Sequence, residues 1–154
     1  GYRYEDVEFT YMLIPFLEKV SFCKTPMVHY IQRDGSISNV QNKRTAEIFD
    51  VMEHVIDYYK EKGLYDEYYQ ELEYIYVRYA FCSSFLRIVK IEDKKIRKQL
   101  LELTWNNVNI KFPNWKNNRI LKTEKSKKNL YLKSINKITY KIYSKLISYI
   151  SKGM

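Results

Sequence analysis

A mainly α-helical chain with short β segments near its N-terminus is what three features of this 154-residue sequence predict. Glycine and proline are scarce, at four and three residues, too few for the turns of a β-sandwich or for linker-rich architecture. Apolar residues recur at three and four over residues 42–62, 66–90, 92–105 and 126–151, the spacing of one helix face. Strand-type composition is confined to residues 21–24 and 27–33, on either side of Thr25-Pro26. About 45% of the residues are apolar, enough to bury a core within one domain's length of chain.

Each element follows from local signals. Residues 5–20 read as a helix whose start is acidic: Glu5 followed by Glu8 resembles a capping box, and acids suit the positive end of a helix. Pro15 kinks that helix or restarts it as a first-turn residue. Asp34-Gly35 is a turn, and Ser36-Ile37-Ser38-Asn39 reads as a loop. Over residues 42–62, Ile48, Met52, Val55 and Tyr59 line one face, and Gly63 is a C-terminal stop. The stripe of the next helix, 66–90, is Leu72, Ile75, Tyr79, Cys82, Leu86 and Val89. Tyr58, Tyr59, Tyr65, Tyr68, Tyr69, Tyr74, Tyr76 and Tyr79 read as an aromatic helix–helix interface. A shorter helix spans 92–105, a loop with Pro113 and Trp115 spans 106–118, and one long helix spans 126–151. The expected organisation is 1–40, 41–110 as a helical bundle region, and 111–154 as a basic loop and terminal helix.

The net charge of +9 is local. Residues 111–154 hold twelve basic residues and one acid, Glu124, whereas residues 1–110 hold fifteen basic and seventeen acidic. On a wheel of about 100° per residue, Tyr131, Ile135, Ile138, Ile142, Leu146 and Tyr149 share one face of the terminal helix, and Lys133, Lys137, Lys141 and Lys145 share another. Such a helix, about 26 residues and roughly 40 Å long, suits an anionic membrane surface, where each lysine contributes on the order of 1 kcal/mol. It equally suits packing on neighbouring helices with a solvated lysine face. Nucleic acid is the weakest partner class, because lysine outnumbers arginine by 20 to 7 and base readout favours arginine.

Several classes are excluded or disfavoured. The glycines stand singly at 1, 35, 63 and 153, so the chain holds no Gly-rich phosphate loop. Cys23 and Cys82 fit no metal spacing and read as reduced thiols of a cytoplasmic protein. The longest uncharged apolar stretch near the start, residues 9–17, is far short of the about 20 residues that span a bilayer.

The chemistry-bearing residues cluster near the start. Tyr4-Glu5-Asp6 sets two adjacent carboxylates at a helix start, where one can act as a general base or simply cap the helix. In the run His29-Tyr30-Ile31-Gln32-Arg33-Asp34-Gly35-Ser36, Arg33 can clamp a diphosphate and Gln32 can donate to it, or the run is an ordinary hairpin edge. His54 reads as a partly buried or surface helical histidine with no ligand partner one turn away.

The order of these pieces, Tyr4-Glu5-Asp6-Val7-Glu8-Phe9, an apolar helix, Val20-Ser21-Phe22, then Met27-Val28-His29-Tyr30-Ile31-Gln32-Arg33-Asp34-Gly35-Ser36-Ile37-Ser38, resembles the C-terminal part of bacterial family-two glycosyltransferases of the GT-A fold. Phe112-Pro113-Asn114-Trp115-Lys116 is similar to a stretch in the tails of such enzymes. The resemblance covers about residues 2–40, a quarter of the chain. It implies transfer of a sugar from a nucleotide-diphosphate donor to a glycan or lipid-linked acceptor hydroxyl in cell-surface polysaccharide synthesis, with inversion. Asp6 would be the base, Glu5 its support, and Gln32, Arg33 and Ser36 would border donor and acceptor. The β segments would be the remnant of a GT-A sheet. The resemblance also implies a divalent cation, Mn or Mg, held by an Asp-x-Asp motif; no Asp-x-Asp occurs in residues 1–154. The expectation is therefore a fragment that binds no metal and no nucleotide-sugar alone, exposes Phe9, Met12, Leu13 and Phe22, and self-associates through them. Two other readings stand beside it: a non-catalytic helical interaction module, and a peripheral membrane binder on the inner face of the membrane.

Overall fold

The computed structural model describes residues 3–29, 31 and 40–150. Helix α1 (Glu5–Leu13) is followed by a 3₁₀ turn, Ile14–Phe16, with Pro15 in its opening residues. The helix thus ends before 20, because proline at 15 has no N–H to continue the ladder. The capping box is not formed either. Tyr4 occupies the N-cap at φ 71°, a left-handed conformation unusual for a residue with a Cβ, and makes no side-chain cap. Glu8 instead reaches across to His54, with Oε1 3.2 Å from Nδ1.

Residues 17–29 carry no regular structure, and among the described residues there is no strand. The two short β segments expected at 21–24 and 27–33 are not found there; Tyr30, Gln32 and Arg33 lie outside the described residues. Strand composition needs a partner to complete its hydrogen-bond ladder, and among the described residues none lies beside this stretch. Its apolar side chains face solvent: Val20, Met27, Val28 and Ile31 are exposed, and Phe22 is 93% exposed.

The helical body begins at a 3₁₀ turn, Lys43–Ala46, capped by Asn42, and runs into α2 (Glu47–Glu61). The buried set of α2, including Ile48, Met52, Val55, Ile56 and Tyr59, carries the expected spacing. Its C-terminus is a Schellman closure: Leu64 N–H donates to Tyr59 O at 2.8 Å and Gly63 N–H to Lys60 O at 3.0 Å. Gly63 sits at φ +69° with open space where a Cβ would lie, so its conformation, not crowding, calls for glycine.

The next helical rod begins at 69. It comprises α3 (Tyr69–Arg78), a π-helical turn over Tyr79–Ser84 and α4 (Phe85–Ile88). Asp93 caps α5 (Lys94–Lys111) by accepting from Lys95 N–H at 2.8 Å and Ile96 N–H at 3.0 Å. Helix α5 continues through the stretch read as a loop from 106, because its polar side chains bond locally: Asn109 Nδ2 donates to Trp105 O at 2.7 Å, and Val108 is buried. A 3₁₀ turn, Trp115–Asn117, leads to α6 (Arg119–Thr123).

The long terminal helix is two helices, α7 (Lys127–Ser134) and α8 (Lys137–Ile150). Ile135 is extended, with φ −70° and ψ 126°, and fully buried. Asn136 Oδ1 accepts from Ile138 N–H and Thr139 N–H at 2.9 and 3.0 Å, while Asn136 N–H donates to Thr139 Oγ1 at 2.8 Å. This reciprocal cap restarts the chain in a new direction. The stripe expected along one wheel is therefore divided: Ile135 and Tyr131 turn into the body, and Ile138, Ile142, Leu146 and Tyr149 face solvent.

One buried cluster joins Val7 of α1, the inner face of α2, Tyr76 and Phe81 of the central rod, Phe112, Trp115, Leu132, Ile135 and Tyr140. Aromatic rings dominate it. Phe81 stands 5.8, 5.5 and 5.5 Å from Trp105, Trp115 and Tyr140, and Tyr76 stands 5.3 Å from Phe112. The Phe112-Pro113-Asn114-Trp115 stretch thus supplies two core rings. Tyr59 meets Tyr68 at 5.6 Å and Tyr65 meets Tyr69 at 5.7 Å, edge to face, at the turn between α2 and α3.

Candidate functional site

The acidic start of α1 is held in place from the backbone outward. Arg3 is buried; its backbone N–H donates to Glu47 Oε2 at 2.9 Å and its guanidinium to Val40 O at 3.1 Å. Arg44 also binds Glu47, and this hydrogen bond holds the Glu47 carboxyl below its ordinary pKa. The Tyr4 ring lies under the Arg87 guanidinium, 5.1 Å from its centroid, and the Tyr4 hydroxyl donates to Thr45 O at 3.4 Å. Tyr59 Oη donates to Tyr11 O at 2.9 Å at the other end of the helix. The anchor residues Arg3, Glu47 and Arg87 are distant in sequence and carry no motif, so sequence spacing does not reveal them.

On this fixed frame Glu5 and Asp6 are both exposed. At about 100° per residue, Asp6, Phe9 and Leu13 fall within roughly 60° of one another, and Phe9 and Leu13 are exposed as well. Val7, on another face, is buried against the helical body. Asp6 therefore heads an exposed apolar stripe, which the turn and the following segment extend with Ile14, Phe16, Leu17 and Phe22. Met12 is half-buried. Gln32, Arg33 and Ser36, the expected substrate-bordering residues, lie outside the described residues.

Beside α1 a cavity of about 230 Å³ opens against the π turn, lined by Tyr11, Arg78, Tyr79, Cys82, Ser83 and Lys128 among others. Burial raises the Tyr79 phenol to about 12, with smaller contributions from Tyr11 and the Asp6 charge. Burial likewise raises the Cys82 thiol, opposed by Arg78 and Lys128. A raised thiol is mostly protonated at neutral pH and is a weak nucleophile. Among the described residues no three His, Cys, Asp or Glu side chains gather to hold a metal ion.

The four lysines expected to face a membrane are not one row. Lys133 lies on α7, where Nζ donates to Lys122 O at 3.3 Å. Lys137, Lys141 and Lys145 line a groove of about 690 Å³ between α8 and α5, opposite Lys98, Glu102 and Trp105. The α5 half of this groove was missed in the sequence, although 98, 102 and 105 carry the spacing of one helix face. Among the described residues no helix is long and apolar enough to cross a membrane. Comparison with protein-family models, with curated proteins and with solved structures returns no match.

Proposed function

We propose that this chain forms the base-bearing, acceptor-side part of a nucleotide-diphospho-sugar-dependent glycosyltransferase, with Asp6 as general base. The reading starts from the motif resemblance over residues 2–40. The observation that carries it is the placement of Asp6: an exposed carboxylate on a helix start immobilised by Arg3 and Tyr4, heading an exposed apolar stripe through Phe9 and Leu13. A carboxylate so placed is accessible to an acceptor hydroxyl, and the stripe is the kind of surface that another protein layer covers.

In the proposed reaction Asp6 takes the proton of the acceptor hydroxyl as its oxygen forms a bond to the anomeric carbon. The bond from that carbon to the diphosphate oxygen breaks on the opposite face, and the nucleoside diphosphate leaves with the electron pair, which inverts the anomeric centre. Glu5, one residue earlier and so about 100° away around the helix, keeps the site acidic without sharing Asp6's direction. Among the described residues no three His, Cys, Asp or Glu side chains gather to hold the divalent cation that the family resemblance implies, and no step of this reaction runs through it.

The test is Asp6→Asn in the polypeptide that joins residues 1–154 to a donor-binding half. Transfer should fall by about 10²–10⁴-fold with donor affinity unchanged, since Asp6 touches the acceptor and not the nucleotide. Undiminished transfer would remove Asp6 from the role.

A further inference from the structure

We infer that α8 docks this protein flat on an anionic lipid surface, with the stripe Ile138, Ile142, Leu146 and Tyr149 in the acyl boundary and Lys137, Lys141 and Lys145 on the headgroup phosphates. The inference is independent of the glycosyl-transfer reading.

Helix α8 carries three parallel stripes. The first faces the body. Tyr140 is buried against Phe81, Phe85 and Trp105, its hydroxyl donates to Leu101 O at 3.1 Å, and Tyr143 and Ile147 pack beside it. This stripe fixes the helix on the fold and fixes which side faces outward. The second holds Lys137, Lys141 and Lys145, spread over about 80° of the helix. None of the three is in an ion pair among the described residues. Lys98 adds a fourth cation across the groove, and Glu102 is the one acid lining it. The third stripe follows over about the next 80°: Ile138 is 72% exposed, Ile142 54%, Leu146 53% and Tyr149 82%. Over these residues the helix is roughly 16 Å long, and nothing among the described residues covers them.

The charge chooses the occupant. A basic stripe running directly beside an apolar one is the pattern of a helix lying in a membrane interface. Tyr149 suits that level, with an apolar ring and a hydroxyl that stays wet. Trp105 borders the same groove. A second copy of this chain meeting this face with its own α8 would set the same lysines against one another, with no acid in residues 137–150 to relieve them. A nucleic-acid backbone would meet the lysines but offers no apolar layer for four large exposed side chains.

The experiment floats the full chain with vesicles of phosphatidylcholine alone and of phosphatidylcholine mixed with phosphatidylglycerol. Binding should require phosphatidylglycerol and weaken as salt is raised to about 1 M, where charges are screened within about 3 Å. Ile142→Ser with Leu146→Ser, both exposed and so without cost to the fold, should lower partitioning by about tenfold or more. Lys141→Glu with Lys145→Glu should do the same. Lys125→Glu with Lys127→Glu makes an equal charge change away from α8 and should leave most binding intact. Unchanged circular dichroism confirms that each variant is folded. Equal binding to both vesicle types, an Ile142→Ser/Leu146→Ser variant that binds like the parent, or equal losses from both lysine pairs would each overturn the inference. Oligonucleotide binding that depends on the lysines and displaces the protein from vesicles, with the serine variant unaffected, would replace it with a nucleic-acid surface.

Discussion

Asn118 Nδ2 donates to the buried Glu73 carboxylate at 2.7 Å, and the same amide caps α6 through its oxygen. Its Nδ2 also donates to Gln70 O at 2.8 Å, while Oδ1 accepts from Ile120 and Leu121 N–H at 2.9 and 3.3 Å. One side chain thus joins α3 to the start of α6 with all its capacity used. Glu73 is 3% exposed with no cation paired to it among the described residues, and burial raises its carboxyl above the ordinary value.

That shift sets a pH dependence. The folded state holds the Glu73 proton to higher pH than the unfolded chain, so in that window the folded state binds more protons. Its contribution is fully present below the unfolded value and is lost as pH rises through the raised folded one. Glu73→Gln keeps an acceptor for Asn118 and removes the titration. Its urea midpoint at neutral pH should equal or exceed the parent's, and the parent's decline on going from acid to neutral pH should flatten. Glu73→Ala leaves part of the Asn118 amide without its partner and should cost about 1–3 kcal/mol. Urea titrations of the three proteins from acid to neutral pH check this; a Glu73→Gln variant that is the less stable protein at neutral pH would contradict it.

The body's tyrosines give a second, alkaline dependence. Burial raises Tyr59 to about 12, with the neighbouring Tyr68 next in effect, and raises Tyr79 to about 12. Tyr76, Tyr131 and Tyr140 shift in the same direction for the same reason. A phenol with a raised folded pKa keeps its proton in the folded state after the unfolded chain has lost it. Its stabilisation is present below about 10, the free phenol's value, and is lost as pH rises towards about 12. The share of tyrosinate absorbance that belongs to Tyr59, Tyr76, Tyr79, Tyr131 and Tyr140 should therefore rise late and together with loss of helical circular dichroism, as one cooperative alkaline transition. An absorbance rise completed around pH 10 with the helices intact would contradict it.

Where local signals and tertiary packing agree, the sequence was legible. Gly63 stops α2 because one residue there must be left-handed, and that requirement is readable from a single glycine. The apolar spacing of Ile48, Met52, Val55 and Tyr59 marks the inner face of α2 for the same reason. Legibility fails where a partner decides. The β-type composition of 21–24 and 27–33 has no ladder partner in the described fold, so residues 21–29 are left without regular structure. The stretch from Asn106 reads as a loop until Asn109 and Val108 show why α5 continues. At the candidate site, Asp6 is singled out by its motif, but the Arg3–Glu47 bond that holds the start of α1 spans 44 residues and has no sequence pattern. The groove between Trp105 and Lys141 is likewise a product of packing α8 on α5.

Asn136 is the residue on which the surface of α8 depends. The apolar spacing runs on from Ile135 to Ile138 and reads as one helix; the break is encoded by a different signal, an Asn with Thr three residues later. Asn136 Oδ1 satisfies the N–H groups of Ile138 and Thr139, and Thr139 Oγ1 returns the bond and donates to Ser134 O at 2.8 Å. The cap lets Ile135 turn inward to full burial while Ile138 turns out. Asn136→Ala should cost about 1 kcal/mol in global stability, and Asn136→Ser or Asn136→Asp should recover most of it. Hydrogen exchange should show the first turn of α8 losing protection in the alanine variant, with α2 and α3 unaffected. Full protection at Ile138 and Thr139 after Asn136→Ala would mean that Tyr140 packing alone sets the break, and the cap would be surplus to it.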